Sequence, residues 1–188
     1  MSPQILKLDR AGAPHSWLTV EDAAHYYASG QVAWSAGTTE FVLRGGRQAN
    51  GQRSQMRVAS IIAIAGRDFD VRNFDRVPTL SKGMLLKRDR FMCAYCAQTY
   101  RASNLEVEHI LPKSRGGKDT WTNLVTACHA CNDKKSARTP EEAGMKLHYV
   151  PYEPNRWEGF ILRGRSILAD QMEFLIRGIP KHSRLHVQ

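Results

Sequence analysis

Hydrophobic and polar positions divide the chain into stretches of different period. Across residues 1–80, short apolar runs alternate with turn signals: "QILKL", "QVAWSAG", "EFVLRGG" and "RVASIIAIAG". Runs of this length and β-branched content predict strands. Between the first two lies "TVEDAAHYYASG", where Thr19 can cap a short helix, Glu21 and Asp22 suit its positive end and Gly30 stops it. The polar, glycine-rich "GGRQANGQRSQ" predicts a loop or hairpin tip. Its neighbourhood carries Arg44, Arg47, Arg53 and Arg57, available to phosphates or simply solvated.

A second unit opens at Ser81, which can cap a helix over "KGMLLKRD". Farther on, "LEVEHI" and "LVTAC" read as two short strands around the Pro/Gly-rich loop "PKSRGGKDTWTN", and "HACNDKKSAR" reads as a basic helix. From Thr139 the composition shifts again. "TPEEAG" carries a Thr cap, a proline at the first helical position and early acids, all helix-start signals. Between about Arg156 and Arg177, Trp157, Phe160, Ile161, Leu168, Met172 and Leu175 keep approximate helical spacing, which predicts one long amphipathic helix packed within the chain.

Charge sharpens this division. The 188 residues carry a formal net charge of +9. Residues 1–81 hold 9 Lys/Arg against 7 Asp/Glu, residues 82–138 hold 11 against 5, and residues 139–188 hold 7 against 6. The excess is concentrated in the middle, which suits a nucleic-acid partner or a basic solvated face. No apolar run approaches the roughly 20 residues of a membrane-spanning helix. The start "MSPQILKLDR" lacks the pattern of a secretory signal, so the expected location is cytoplasmic, with no membrane partner.

All four cysteines fall in the same basic segment, as Cys93-x-x-Cys96 and Cys128-x-x-Cys131. Two such knuckles can gather four thiolates around one tetrahedral Zn2+, a structural site worth on the order of 10 kcal/mol to a small module. An iron–sulfur cluster or a redox dithiol would use the same residue type, but neither explains two knuckles flanking a charged patch. Between the knuckles stand Glu108 and His109 at the end of the first strand, Asn123 at the end of the loop, and Asn132 just past the last cysteine. Strict alternation puts His109 on the face of Leu105 and Val107, where a buried structural histidine is the plain alternative to a reactive one.

The order "CAYC", "EHILP", "RGG", "NLV", "CHACNDKK" resembles the HNH endonucleases, whose ββα-metal motif runs C-x-x-C, D-H-I/V-x-P, G-G, N-L and C-x-x-C-[HN]-x-x-K. The resemblance covers about Phe91 to Arg138. It implies a ββα-metal module with structural zinc over 81–138. Together with the α+β platform that the apolar runs predict over 1–80, a candidate target-binding region, and the helical extension read over 139–188, the expected fold class is α+β. The resemblance also implies metal-dependent cleavage of phosphodiester bonds in DNA. His109 would be the general base and Asn123 would hold the loop. Glu108, where the family usually has Asp, and Asn132 would bind Mg2+ or Mn2+. Lys113, Arg115, Lys118, Lys134, Lys135 and Arg138 would contact phosphates. The alternatives are RNA cleavage and a zinc-stabilised module that binds nucleic acid without cutting it.

Overall fold

In a computed structural model the described residues are 3–47, 49, 51–65 and 77–186. The chain folds as two compact units: residues 1–76 with 156–179, and residues 77–155 with 180–188. The segment expected to be a single helical extension is therefore shared between the two.

The first unit is a four-stranded sheet with helices. β1 (Ile5–Leu8) pairs antiparallel with β2 (Pro14–Leu18) and parallel with β4 (Arg53–Ile64), and β4 pairs antiparallel with β3 (Val32–Arg47), giving the order β2-β1-β4-β3. α1 (Val20–Ala28) starts where Thr19 accepts a hydrogen bond from the Asp22 backbone N–H. Its residues Val20 and Ala23 bury against Ile5, Val58 and Ile62. Every residue of β1 is buried, so both faces of this strand are covered.

Two expectations change here. The two runs "QVAWSAG" and "EFVLRGG" are one 16-residue strand whose pairing shifts between Ala36 and Glu40, and pairing persists to Arg47 and resumes at Arg53, so the polar tip is shorter than its composition suggests. The C-terminal helix is also two helices, α4 (Arg156–Arg163) and α5 (Ala169–Ile176). The chain breaks at Gly164, where a Cβ would stand 2.4 Å from Ile167. The break lets α5 bring polar groups to the sheet. Asp170 Oδ2 accepts from the backbone N–H groups of Thr38 and Thr39 and from the Ser60 hydroxyl, and buried Gln171 donates to the carbonyls of Gln4 and Ser60. Satisfying buried carbonyls outweighs continuing the helix.

The second unit is built on a two-stranded sheet. β5 (Leu105–His109) and β6 (Leu124–Cys128) pair antiparallel with Leu105 opposite Cys128 and His109 opposite Leu124. α2 (Lys82–Arg88) is capped by Ser81, and α3 (His129–Lys135) follows β6 directly. "TPEEAG" forms a single turn, not a helix. Thr139 and Glu142 exchange the two hydrogen bonds of a capping box, and Gly144 at φ 64° ends the turn at once. Beneath the sheet, fully buried Arg88 bonds Asp89 at 2.7 Å and donates to the carbonyls of Trp121, Leu124 and Tyr152, while Asp89 accepts from the Thr126 backbone N–H. This ties α2 to β6 and to the end of the loop between the strands. No helix among the described residues is long and apolar enough to cross a membrane.

A candidate metal and active centre

Local chain geometry makes the two knuckles. The first, after α2, is closed by the Met92–Thr99 bridge and by hydrogen bonds from Cys93 N–H to Gln98 O and from Ala97 N–H to Cys93 O. The second straddles the β6–α3 junction, with Cys128 ending the strand and Cys131 one turn into the helix. The four sulfurs lie within 4.8 Å of one another. Tetrahedral Zn–S bonds of about 2.3 Å place sulfurs a little under 4 Å apart, so the cluster fits one such ion with small adjustment. Burial raises the Cys93 and Cys131 thiols. Burial also pulls on Cys96, but the Gln98 backbone N–H, the Tyr100 hydroxyl and the neighbouring sulfurs outweigh it and bring this thiol down to about 7. A dication is what allows four such sulfurs to ionise together.

The loop between the strands is held by Asn123. Its Oδ1 accepts from the Leu111 N–H at 2.9 Å, and its Nδ2 donates to the carbonyls of Leu111 at 3.1 Å and Lys118 at 3.0 Å. Gly117 is required by the close approach of the chain, because a Cβ there would stand 1.8 Å from the Leu111 oxygen. Gly116, at φ 88°, turns the chain out of the short 3-10 turn Lys113–Arg115.

His109, with 18% of its side chain exposed, sits at the end of β5 and not in the core. Its Nε2 lies 2.7 Å from Asp119 Oδ1, and the other Asp119 oxygen lies 2.9 Å from Lys113 Nζ. Lys113 first, then His109, hold the Asp119 carboxyl below its usual range. Asp119 did not stand out in the sequence, because an acid in a polar loop ten residues away carries no spacing signal of its own.

On the opposite side of β5 the partners differ from the expected set. Glu108 Oε1 bonds Lys135 Nζ at 2.6 Å, whereas the Asn132 amide donates to Glu106 Oε2 at 2.6 Å. Glu106 also faces His129 at 3.1 Å, and its carboxyl is held below its usual range by Asn132 and then His129. Glu108 and Asn132 are thus engaged separately. They remain hard oxygen donors, and Glu108 has a second carboxylate oxygen, so the donor types fit Mg2+ or Mn2+.

The basic residues divide as well. Lys135 is fully buried against Glu108, which corrects its expected role as a phosphate contact: its ammonium is out of reach of solvent, and the Glu108 carboxylate compensates its desolvation. Arg138 is exposed, but its guanidinium bonds the carbonyls of Lys134 and Lys135 at the end of α3. Arg115 pairs with Glu142, and Lys113 with Asp119. Lys118 and Lys134 are exposed and have no ion-pair partner among the described residues.

Two knuckles, a ββ hairpin closed on a helix and a histidine backed by a carboxylate form one constellation in the second unit. Residues 93–148 match the family model of the HNH endonucleases. This HNH segment is under a third of the chain. Over 51 residues the chain is 41% identical to a CRISPR-associated endonuclease Cas9 of Corynebacterium diphtheriae, an alignment that covers 27% of this chain and 5% of that protein. Both likenesses support nuclease chemistry on nucleic acid for the HNH segment.

Proposed function

We propose that the protein is a metal-dependent endonuclease that hydrolyses phosphodiester bonds in DNA, with zinc on Cys93, Cys96, Cys128 and Cys131 as a structural clip. The contact between Asp119 and His109 carries this reading. A carboxylate on Nε2 fixes the tautomer with its proton there, leaving the Nδ1 lone pair to take a proton from water. The water oxygen attacks phosphorus, the bond to the leaving oxygen breaks, and that oxygen is protonated from solvent. Asn123 keeps the loop that bears Asp119 in register with His109. Glu108 and Asn132 would hold the divalent ion, which supplies positive charge to the phosphate. Lys118 and Lys134 would contact the flanking backbone. A reducing compartment such as the cytoplasm suits four cysteines that form no disulfide and are kept reduced for zinc.

Plasmid nicking in Mg2+ or Mn2+, abolished by His109→Ala at unchanged zinc content and fold, is the expected result. Wild-type protein loaded with zinc that cuts neither DNA nor RNA with any divalent ion would sink the enzyme reading. The Glu108–Lys135 bond favours a second reading in that event. A carboxylate neutralised by a buried ammonium is a structural pair, as in a zinc-stabilised module that binds nucleic acid without cleaving it.

A further inference from the structure

The β3–β4 hairpin has two unlike faces. Phe41, Leu43, Met56 and Val58 pair across the strands and pack with the α1 cluster. The opposite face brings together Val42 with Arg57, Arg44 with Gln55, and Arg47 with Arg53 in directly facing positions, all exposed. Glu40, the carboxylate at the base of this face, is 3.3 Å from Arg57. Arg44, Arg47 and Arg53 have no ion-pair partner among the described residues. The base of the hairpin is fixed to α5 by the Asp170 hydrogen bonds to Thr38, Thr39 and Ser60.

We propose that this arginine face is a docking surface for duplex DNA, with the two-stranded ribbon lying in the major groove and Arg44, Arg47 and Arg53 on phosphates at its walls. This deepens the nuclease reading by giving the first unit the task of holding the substrate, and it rests on that reading only for the identity of the nucleic acid. The hairpin strands themselves carry four guanidiniums against one carboxylate, Glu40, which makes an anionic partner the complementary one. A B-form major groove about 12 Å wide admits a two-stranded ribbon, and the seven residues from Phe41 to Arg47 extend roughly 20 Å, enough to cross it. The major groove of an RNA duplex is too deep and narrow for such a ribbon. The planar, always charged guanidinium suits phosphate oxygens.

The test is the full chain carrying Arg44→Gln, Arg47→Gln and Arg53→Gln together. Binding is measured in a His109→Ala background on a fluorescent DNA duplex of mixed sequence across a salt series. Hydrolysis of bis(p-nitrophenyl) phosphate is measured with His109 intact. The slope of log K against log salt is expected to become shallower by about 2.7, close to 0.9 for each phosphate no longer neutralised, with hydrolysis of the small diester retained. Unchanged slope and affinity would overturn the proposal, as would equal binding of the parent chain to an RNA duplex of the same sequence. If the parent chain cuts neither DNA nor RNA with any divalent ion but the slope still falls, the ribbon surface stands and the nuclease reading fails.

Discussion

Replacing Lys135 by Met isolates the least expected ion pair in the HNH segment. Lys135 is fully buried, its ammonium is 2.6 Å from Glu108, and 14% of the Glu108 side chain is exposed. Methionine fills a similar volume, so the cavity contribution stays small. The cost is that of leaving a carboxylate without its buried cation, roughly 3–5 kcal/mol for a fully enclosed pair. Because Glu108 retains some access to water, the lower end, about 3 kcal/mol, is expected. Hydrogen exchange of the β6 amides in the zinc-loaded protein reads this locally, without interference from the first unit. Protection at Thr126 and Ala127 should fall by about a hundredfold, since each 1.4 kcal/mol is a factor of ten. Adding Glu108→Leu removes the orphaned charge, so the double variant should regain most of the loss, with a coupling energy of about 2 kcal/mol or more. A single substitution costing under about 1 kcal/mol, or a double variant no better protected than the single, would show that the pair does not hold β5 to α3.

Cys128→Ser should release the metal and unfold the second unit, read as lost zinc and collapsed exchange protection of β6; a zinc-free variant with wild-type protection would remove the structural role. Asp119→Asn should lower kcat by about 100-fold or more with little change in KM, since it removes the carboxylate that fixes the tautomer of the base. Asp119→Glu should restore part of it, whereas equal loss in both variants points to the loop and not to the imidazole. For Asp170, burial pulls its carboxyl up, but the hydrogen bonds from Ser60, Thr39, Gln171 and Thr38 outweigh it and leave the group below its usual value. Its contribution is therefore full above an unfolded value of about 3.9 and is lost as pH falls through the lower folded value. Asp170→Asn should destabilise the first unit by at least about 1.5 kcal/mol at neutral pH, with the gap to wild type closing in acid. A gap independent of pH would show that the charge is not what matters.

What the sequence determined is what short-range spacing can encode. Two-residue gaps set the knuckles, because that reach of chain lets both sulfurs of a pair meet one tetrahedral ion. Thr19 and Ser81 mark helix starts because a side-chain oxygen can reach a backbone N–H three residues on. Gly117 and Asn123 mark the loop because its bonds are local. Periodicity was less decisive where tertiary packing competes: residues 156–177 carry helical spacing, yet the chain breaks at Gly164 so that Asp170 and Gln171 can satisfy the sheet. Tertiary structure alone also decided how the charged side chains pair. Lys134 and Lys135 are indistinguishable in the sequence, but the turn of α3 points one to solvent and the other to Glu108. Asn132 meets Glu106, and His109 meets Asp119, through register and loop path. Electrostatic partners depend on distances between elements, and those are fixed only when the elements pack.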